Sequence, residues 1–567
     1  MKASGVGLVE PTTVQIANLA LLGRVWGFLK YHHRVVTKGG LDWDGELLRV
    51  MPSVVEAPTE AAGQSVITTW ATVLKTPRRL QVPAMLLDDP VLVPDLAWLS
   101  DEALLGPELA AWLPAVYDRR PTGHRQFYVH HQRGIGNPVF TNEDEYRDLK
   151  FPDAGYQLLT LFRLWNMVEY WSPYRDLVEG DWRQVLSEFI PRLSAASDPA
   201  DYVRQLIVLL GRVNDTHTNL WGALGLRPPR GPGQVPVSVR FVPDADGHQR
   251  AVVDEAPHST AHAGIGLVRG DVILSIDGVP TDDLVREWRP FYAASNEAVR
   301  RRDIARWMLR GAAGEAELGI SRGGQPMSVA ATRIPNEQIT EAARFHDRPG
   351  DTFQLLSPEV AYLRLSSVVA KDCAGYVRAA AGTKGFVIDV RNYPGEFVPF
   401  ALGGHLIRRE APFVRCTTGH CSNPGVFTMT EPICLSPVAP HYDGRVVLLV
   451  DEITQSQAEY TTMALRQAPG AVVVGGTTAG ADGNVARVTL PGGLRTMITG
   501  IGILTPEGDP TQRVGIAVDV RVVPTIEGLR RGRDEVLEEG VRQILGPDTP
   551  DDVVLATVAP RASAGSS

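Results

Sequence analysis

The sequence predicts a multidomain protein of mixed α+β class. Three observations lead to this prediction: an internal repeat in the N-terminal part, a hinge rich in proline and glycine after residue 225, and strands that alternate with helices from residue 351 onwards. The length of 567 residues also exceeds what a single hydrophobic core usually supports. We therefore expect several separately packed domains.

The internal repeat joins two segments that share the same order of unusual residues. Apolar residues in both follow the i, i+3, i+4, i+7 spacing of a helix, which predicts helical N-terminal repeats. One repeat falls within residues 1–150, where irregular strands are expected from residue 76, and the other within residues 151–235. Buried tryptophans explain the pattern, and a tryptophan-lined binding groove is the alternative. Five pairs recur at a constant offset of 139 positions: Trp26/Trp165, Tyr31/Tyr170, Asp42/Asp181, Trp43/Trp182 and Pro52/Pro191.

A domain boundary is predicted at the hinge LRPPRGPGQVP, residues 226–236. After it, the alternating runs VSVRFV and AVVDEA predict strands. The following run, GIGLVRGDVILSIDGVPTDDL, resembles the core of a PDZ module, so residues 236–335 are expected to form a PDZ-like β module. That resemblance implies binding of an extended chain or a free C-terminus by addition of a strand to the module's edge.

The C-terminal half predicts an α/β domain over residues 336–545. Strands are expected at VAYLRL (360–365), GFVIDV (385–390), RVVLLV (445–450) and AVVVGG (471–476), with helices between them. Residues 546–567 are rich in proline, aspartate, alanine and serine, which predicts a disordered tail.

Composition and charge exclude several kinds of partner. The formal net charge is −9 and no block of lysine and arginine occurs, so nucleic-acid binding has no electrostatic basis. No apolar run approaches the roughly 18 residues of a membrane span, and the N-terminus lacks the pattern of a secretion signal, which favours a cytoplasmic protein. The four cysteines form no CxxC pair and are expected to be free thiols, with a Cys416–Cys421 bridge as the alternative.

The segment GRVVLLVDEITQSQAEYTTMALR is the strongest candidate for chemistry. A buried strand ends at Asp451, a short turn follows, and Ser456 begins a helix. The free N–H groups and positive dipole end of a helix N-terminus stabilise an anionic intermediate. The alternative is a plain helix cap, in which Glu459 completes a capping box with Ser456.

Family resemblance favours the chemical interpretation. The run Thr454-Gln455-Ser456-Gln457-Ala458-Glu459 resembles the nucleophile motif of tail-specific (C-terminal-processing) and tricorn-core serine peptidases. KGFVIDVRNYPG, VVVGGTTAGADG, GIGILTPEGDPTQRVGIAVDVRV and, upstream, LLGRVNDTHTNLWG resemble further family segments in the family's order. The resemblance implies a crotonase/ClpP-like α/β catalytic domain that needs no cofactor or metal. Ser456 would attack the scissile carbonyl, and the backbone N–H groups of Gly395 and Gln457 would form the oxyanion hole.

The serine needs a base, and the sequence departs from one branch of the family at that point. Tail-specific peptidases use a lysine where Ala481 stands, and no lysine follows Lys384, so a Ser–Lys dyad is excluded. The tricorn branch uses a histidine from an earlier segment, which His217 matches. Histidine side chains titrate near neutral pH, which suits proton transfer. Thr216 takes the place of a tricorn serine and would help to orient the base.

The third catalytic member stays open at this point. Related sequences often have a glutamate where Pro510 stands, so either Asp509 or the neutral Gln512 would orient His217. The paired histidines His32-His33 and His130-His131 lack a ligand pattern such as HExxH, which argues against a metal site.

These features predict a serine peptidase that hydrolyses peptides or unfolded C-terminal protein segments through an acyl-enzyme. Its partners would be peptide or protein substrates, with homo-oligomers possible in this family. One alternative is a catalytically weakened PDZ-type peptide-binding protein. The other is a narrow-specificity maturation peptidase or an esterase.

Overall fold

The computed structural model describes residues 3–8, 10–78, 89–255, 266–339 and 347–559. Its backbone contacts divide the chain into two units, and both are discontinuous in sequence. The first unit comprises Met1–Leu226, Cys416–Glu431 and Gly483–Gly502, and the second comprises Arg227–Arg415, Pro432–Asp482 and Ile503–Ser567. Helices and sheets both occur, which confirms a multidomain fold of mixed class.

The first unit is mainly helical, as predicted. Thr12 and Asp153 cap the two longest helices by accepting hydrogen bonds from backbone N–H groups of the first turn. The helices of five or more residues are Thr13–His32, Trp43–Val55, Glu60–Thr72, Pro107–Asp118, Ala154–Trp171, Gln184–Ser194 and Pro199–Gly211. The strands lying within it are Val129–His131, Pro138–Phe140, Phe427–Met429, Val485–Leu490 and Leu494–Thr499.

The prediction of irregular strands from residue 76 was wrong for much of that region. Residues 97–118 form three short helical segments, and strands are limited to two stretches of three residues each. The reason is that Leu105, Leu109 and Leu113 are buried at helical spacing, while Pro107 sits at the helix start, where its missing N–H costs nothing. Residues 79–88 lie outside the described part.

The two tryptophan pairs of the repeat make the same contacts. Trp26 and Trp43 each donate an indole N–H to the other's backbone carbonyl, at 3.0 Å in both directions. Trp165 and Trp182 do the same, at 2.9 and 3.3 Å. Both pairs lie 17 residues apart in sequence and join a long helix to the segment that follows it.

The second unit begins with an eight-stranded sheet formed by residues 233–335. Apolar side chains from the sheet and from the helices Thr281–Trp288 and Glu297–Trp307 form one core. The sheet path follows the order Ser238–Pro243, Gln249–Glu255, Val272–Ile276, Gly314–Arg322, Gln325–Pro335, Gly233–Gln234 and Arg310–Gly311, with Val279–Pro280 pairing beside it. Gly264 and Ile265 of the PDZ-like motif lie outside the described residues.

A six-stranded sheet forms the rest of the second unit's framework. The side chains of its central strand, Arg445–Val450, alternate between the two faces of the sheet. Val446, Leu448 and Val450 pack into the core on one face, and Val447 and Leu449 pack into the core on the other. All its strands are parallel except the first: Phe353–Ser357, Val360–Arg364, Gly385–Asp389, Arg445–Val450, Val472–Gly475 and Val520–Arg521. The helices packed on its two faces are Cys373–Ala380, Pro399–Leu406 and Gln457–Leu465 on one, and Glu535–Leu545 and Asp551–Val558 on the other.

The predicted disordered tail was wrong for its first part. Helix Asp551–Val558 falls inside it, and Val554 of that helix is fully buried against the six-stranded sheet. The apolar side chains of Val554 and Val558 lie on one face of the helix and pack against the core, which stabilises the helix although the local composition is typical of a disordered segment. Residues 560–567 lie outside the described part of the chain.

Two further observations concern the described residues. None of their helices is long and apolar enough to span a bilayer. All four cysteines are free thiols: Cys373, Cys416, Cys421 and Cys434.

Candidate active site

Ser456 lies on a strained turn between the central strand and a helix. The strand Arg445–Val450 ends six residues before it, and the helix Gln457–Leu465 begins directly after it. Its backbone angles are φ 55° and ψ −121°, a region that residues with a side chain rarely adopt. Such a conformation costs of order 1–3 kcal/mol and persists only where the surroundings enforce it. The turn exposes the hydroxyl at the positive end of the helix.

Thr454 fixes the turn to the neighbouring strand. Its side chain is fully buried, and its hydroxyl donates to the carbonyl oxygen of Val390 at 3.0 Å. The hydroxyl oxygen of Thr454 in turn accepts the N–H of Asp451 at 3.1 Å. The first threonine of the predicted motif is therefore a structural clamp on the turn.

Glu459 joins the Ser456 turn to a second turn at Gly480 and Ala481. One carboxylate oxygen accepts the N–H of Ser456 at 3.1 Å and that of Ala481 at 3.0 Å. The other accepts the hydroxyl of Thr478 at 2.6 Å and the N–H of Gly480 at 2.8 Å. Burial raises the pKa of this carboxyl, and its hydrogen-bond donors act against that rise. The predicted capping glutamate thus holds two turns together.

Ala481 occupies an apolar site in the second unit. Its side chain is fully buried in a small cluster with Ala294, Val299 and Ala479. A lysine ammonium at this position would lose its hydration against these methyl groups. The exclusion of a Ser–Lys dyad therefore agrees with the packing at this position.

The two backbone groups expected to form the oxyanion hole differ in their surroundings. Gln457 is the first residue of the helix, where N–H groups have no partner within the helix. The N–H of Gly395 donates to the carbonyl oxygen of Leu365 at 2.8 Å. A side chain at Gly395 would lie 2.9 Å from the oxygen of Ser366, so only glycine fits.

Tyr393 lies beside the serine. Burial raises the pKa of its phenol, while hydrogen bonds from the Ser456 side chain and the Gln457 backbone lower it. Its hydroxyl oxygen is therefore the acceptor that these two groups meet when no substrate is bound.

His217 follows the helix Pro199–Gly211 in the first unit and is held by Asp215. Its Nδ1 lies 3.3 Å from Oδ1 of Asp215 and 3.2 Å from Oγ1 of Thr499. The backbone N–H of His217 also donates to Asp215, at 3.0 Å. Because Nδ1 is engaged with a carboxylate, it carries the proton, and Nε2 is left as the basic nitrogen.

Asp215 is a buried carboxylate with several donors. Thr499 donates to its second oxygen through its N–H at 3.1 Å and through its hydroxyl at 2.6 Å. Burial alone would raise the pKa of Asp215, but hydrogen bonds and charge from His217, together with the Thr499 hydroxyl, lower it to about 2. The group therefore stays ionised at neutral pH and can stabilise an imidazolium.

Residues 359–522 match the model of peptidase family S41. The chain carries an S41 peptidase domain over these residues. The predicted resemblance to C-terminal-processing and tricorn-core peptidases is confirmed at the level of this family. A search of curated protein sequences found no match.

Solved structures are similar to this chain over more residues than the 359–522 that match the family model. Mature CPAF complexed with lactacystin is 15% identical, with 69% of this chain and 99% of that chain covered and a TM-score of 0.52. The photosystem II D1 C-terminal processing protease is 19% identical, with 67% and 98% covered and a TM-score of 0.39. The tricorn protease is 14% identical, with 78% and 43% covered and a TM-score of 0.33. The likeness to CPAF, at this identity, concerns the fold alone.

Three further sequence-predicted residues each have contacts within their own unit. Asp509 is exposed on a turn, where its backbone N–H donates to Thr505 at 3.2 Å. Gln512 is buried, and its amide donates to Ser295 at 3.2 Å. The carbonyl of Thr216 accepts from the Asn219 amide at 2.7 Å.

Sequence reasoning missed Asp215, Thr499 and Tyr393. Asp215 could have been found, because an acid two residues before a histidine reaches its ring when the intervening turn is tight. Thr499 carried no signal, since it lies 284 positions from Asp215. Tyr393 stood inside the predicted Asp-x-Arg-x-x-x-Gly loop without a role.

Proposed function

We propose that the chain hydrolyses peptide bonds through an ester on Ser456, with His217 as the base. The observation that carries this proposal is the backbone of Ser456, a non-glycine residue at φ 55° that begins a helix inside the S41 segment. A strained strand-to-helix turn of this kind presents a nucleophilic hydroxyl beside free backbone N–H groups. The N–H of Gln457 would stabilise the oxyanion, at about 3 kcal/mol for one donor.

In this scheme His217 takes the proton of the Ser456 hydroxyl on Nε2 as the ester forms. The proton then passes to the leaving amine, and a water molecule hydrolyses the ester by the same route in reverse. Asp215 is the positioning residue: it fixes the tautomer at Nδ1 and balances the charge of the imidazolium. It replaces Asp509 and Gln512 as the third member, and its pKa of about 2 supports that role.

We further propose that residues 236–335 bind substrate as a PDZ-type module. The strand Ser238–Pro243 lies at the end of the sheet path, and its outer edge pairs with no strand among the described residues. A cavity of about 540 Å³ follows that edge and the helix Glu297–Trp307, and it reaches Asp451. An extended peptide added there would lie next to the turn that leads to Ser456.

Two arginines support a link between this module and the serine turn. Arg240 of the edge strand forms ion pairs with Asp451 and Glu452, both at 2.8 Å. Arg302 donates to the backbone oxygen of Glu452 at 2.9 Å and to the side chain of Gln455 at 3.0 Å. A peptide that displaced either arginine would act on the residues directly before the nucleophile.

One observation favours a second candidate function, a peptide-binding protein with a weakened active site. The N–H of Gly395 donates to Leu365, so one of the two expected oxyanion donors is occupied. If substrate displaces Tyr393 from the N–H of Gln457, that N–H is the single donor left, and acyl transfer would be slower by about two to three orders of magnitude.

One experiment separates the two functions. The purified chain and its Ser456→Ala variant are incubated with reduced, unfolded protein and with a peptide mixture, and products are sequenced by mass spectrometry. The peptidase predicts new termini with the wild type and none with Ser456→Ala, while both bind peptide in titrations. Peptide binding by both without any cleavage would assign the chain to the second function.

A further inference from the structure

A cavity of about 730 Å³ in the first unit has no part in the proposed reaction. Trp98, Trp165 and Trp182 line it together with the charged residues Arg24 and Glu169. This volume falls in the range of small-molecule sites, which combine apolar walls with a few convergent polar groups. Tryptophans thus line a cavity, which keeps open the alternative of a tryptophan-lined binding groove.

The side chains of Arg24 and Glu169 carry opposite charges but form no ion pair with each other. Neither side chain has a hydrogen bond or ion pair with any described residue, and Nε of Arg24 is buried without a partner. The guanidinium lies 4.5 Å above the ring of Trp98, which leaves its N–H edge available. Burial lowers the pKa of Arg24 and raises that of Glu169, the cost expected for buried charges that lack a partner.

The other charges at the cavity are already balanced. Arg183 pairs with Asp181 at 3.0 Å and with Asp95 at 3.4 Å. Arg175 donates to the backbone oxygen of Glu169 at 2.7 Å and lies 3.7 Å from Asp176. Arg24 and Glu169 are thus the two groups here that a ligand would satisfy.

The residues related to Arg24 and Glu169 by the repeat form a filled version of the same arrangement. At the repeat offset of 139 positions, Arg24 corresponds to Arg163 and Glu169 corresponds to Lys30. The carboxylate of Glu143 lies between Lys30 and Arg163, at 2.7 Å from the ammonium and 3.0 Å from Nε. The chain itself thus supplies a buried carboxylate at ion-pair distance from the guanidinium of Arg163, whereas Arg24 has no such ion pair among the described residues.

The difference between the two arrangements indicates the ligand. Among the described residues no carboxylate forms an ion pair with Arg24, and Glu169 stands where the related position has Lys30, so the charge at that position is reversed. A ligand there must bring a carboxylate for Arg24 and an ammonium for Glu169. Trp43, the counterpart of Trp182, stacks on Trp70 at 5.2 Å, whereas Trp165 and Trp182 line the cavity.

We propose that this cavity binds a zwitterion with an apolar side chain, either a free α-amino acid or a short peptide with unblocked ends. The carboxylate pairs with the guanidinium of Arg24 and the ammonium with the carboxylate of Glu169. The side chain packs against the indoles of Trp98, Trp165 and Trp182. This site is separate from the proposed peptidase chemistry and does not depend on it.

Calorimetric titration of the full chain tests the proposal with four probes. L-phenylalanine and the dipeptide L-phenylalanyl-L-phenylalanine carry both charges, and the Ser456→Ala variant is used with the dipeptide so that it stays intact. N-acetyl-L-phenylalanine lacks the ammonium, and L-phenylalaninamide lacks the carboxylate. We expect saturable binding of a probe with both charges, and binding weaker by about tenfold or more for each blocked probe, since each loses one charged hydrogen bond. The tighter of the two zwitterions identifies the source of the ligand.

Variants locate the binding. Arg24→Gln and Glu169→Gln should each weaken binding of the zwitterion by about tenfold or more. The control Asp118→Asn, at an exposed residue that does not line the cavity, should leave it unchanged. Equal affinity for the blocked probes, no binding of either zwitterion to the wild type, or unchanged binding in Glu169→Gln would overturn the proposal. The blocked probes keep the test decisive if a variant does not fold.

Discussion

Nδ1 of His217 lies 3.3 Å from Oδ1 of Asp215, in a turn that places the two residues two positions apart. The contact gives the proposed base its orienting carboxylate from its own segment of chain. Thr499 completes the arrangement by donating to the other oxygen of Asp215 at 2.6 Å. The pair therefore has the tautomer and the charge balance that a general base requires.

Asp215→Asn should lower kcat by about four orders of magnitude and leave KM nearly unchanged. The amide cannot balance the imidazolium charge, and it favours the wrong tautomer of His217. The measurement is steady-state cleavage of a peptide found in the digestion experiment. The matched control is Asp509→Asn, at the exposed acid first considered for this role, which should retain wild-type kcat. A large loss in Asp509→Asn with none in Asp215→Asn would reverse the assignment.

Asp215 should also contribute to stability in a defined pH window. Its pKa falls from the ordinary value of 3.8 to about 2 in the folded chain. The ionised carboxylate thus stabilises the fold above about pH 4, by about 2 kcal/mol, and this contribution disappears as the pH falls towards 2. Urea unfolding of the wild type and Asp215→Asn over this range is the measurement. The difference between the two proteins should shrink with acidification, and a difference that grew would contradict the described contacts.

Glu459→Gln should loosen the nucleophile turn. The new amide group would face the N–H groups of Ser456 and Ala481, which now donate to a carboxylate oxygen. Two buried donors without an acceptor should cost about 2 to 4 kcal/mol of unfolding free energy. Denaturant unfolding measures the loss, with Glu507→Gln on an exposed loop as the control. If both variants unfold like the wild type, Glu459 does not hold the two turns together.

Ala481→Lys should destabilise the chain rather than create a Ser–Lys dyad. The methyl group of Ala481 is fully buried near Ala294 and Val299, so a lysine must distort this cluster or bury a charge. We expect a loss of about 3 kcal/mol or more, and no gain in peptide cleavage. Ala517→Lys, at an exposed site, serves as the control. A stable and more active Ala481→Lys would show that the cluster tolerates the other family branch.

The S41 domain could be predicted well because its signals are local. Buried parallel strands read as continuous apolar runs, and the strand at 445–450 was expected with the bounds that the structure has. The Ser456 motif lies on six consecutive residues. In contrast, residues 97–118 were missed because short helices that start at proline resemble irregular structure in sequence.

The residues that orient His217 could not be predicted, because their contacts depend on backbone geometry that no local sequence motif indicates. Asn214 adopts φ 55°, and that left-handed residue helps turn the chain so that Asp215 meets His217. Thr499 reaches the same carboxylate from a hairpin far along the chain. The direction of a single N–H group, such as that of Gly395, also depends on the folded loop. A motif can indicate the residues of a site, but not which donors stay available.

Fluorophosphonate labelling is the most direct test of the central claim that Ser456 is a nucleophile activated by His217. The wild type, Ser456→Ala, His217→Ala and the control Asp509→Asn are treated with the probe, and the adduct is located by intact mass and peptide mapping. We expect a single adduct on Ser456 in the wild type and in Asp509→Asn, and no adduct in Ser456→Ala or His217→Ala. Labelling that survives Ser456→Ala, or a folded wild type that is not labelled, would contradict the central claim.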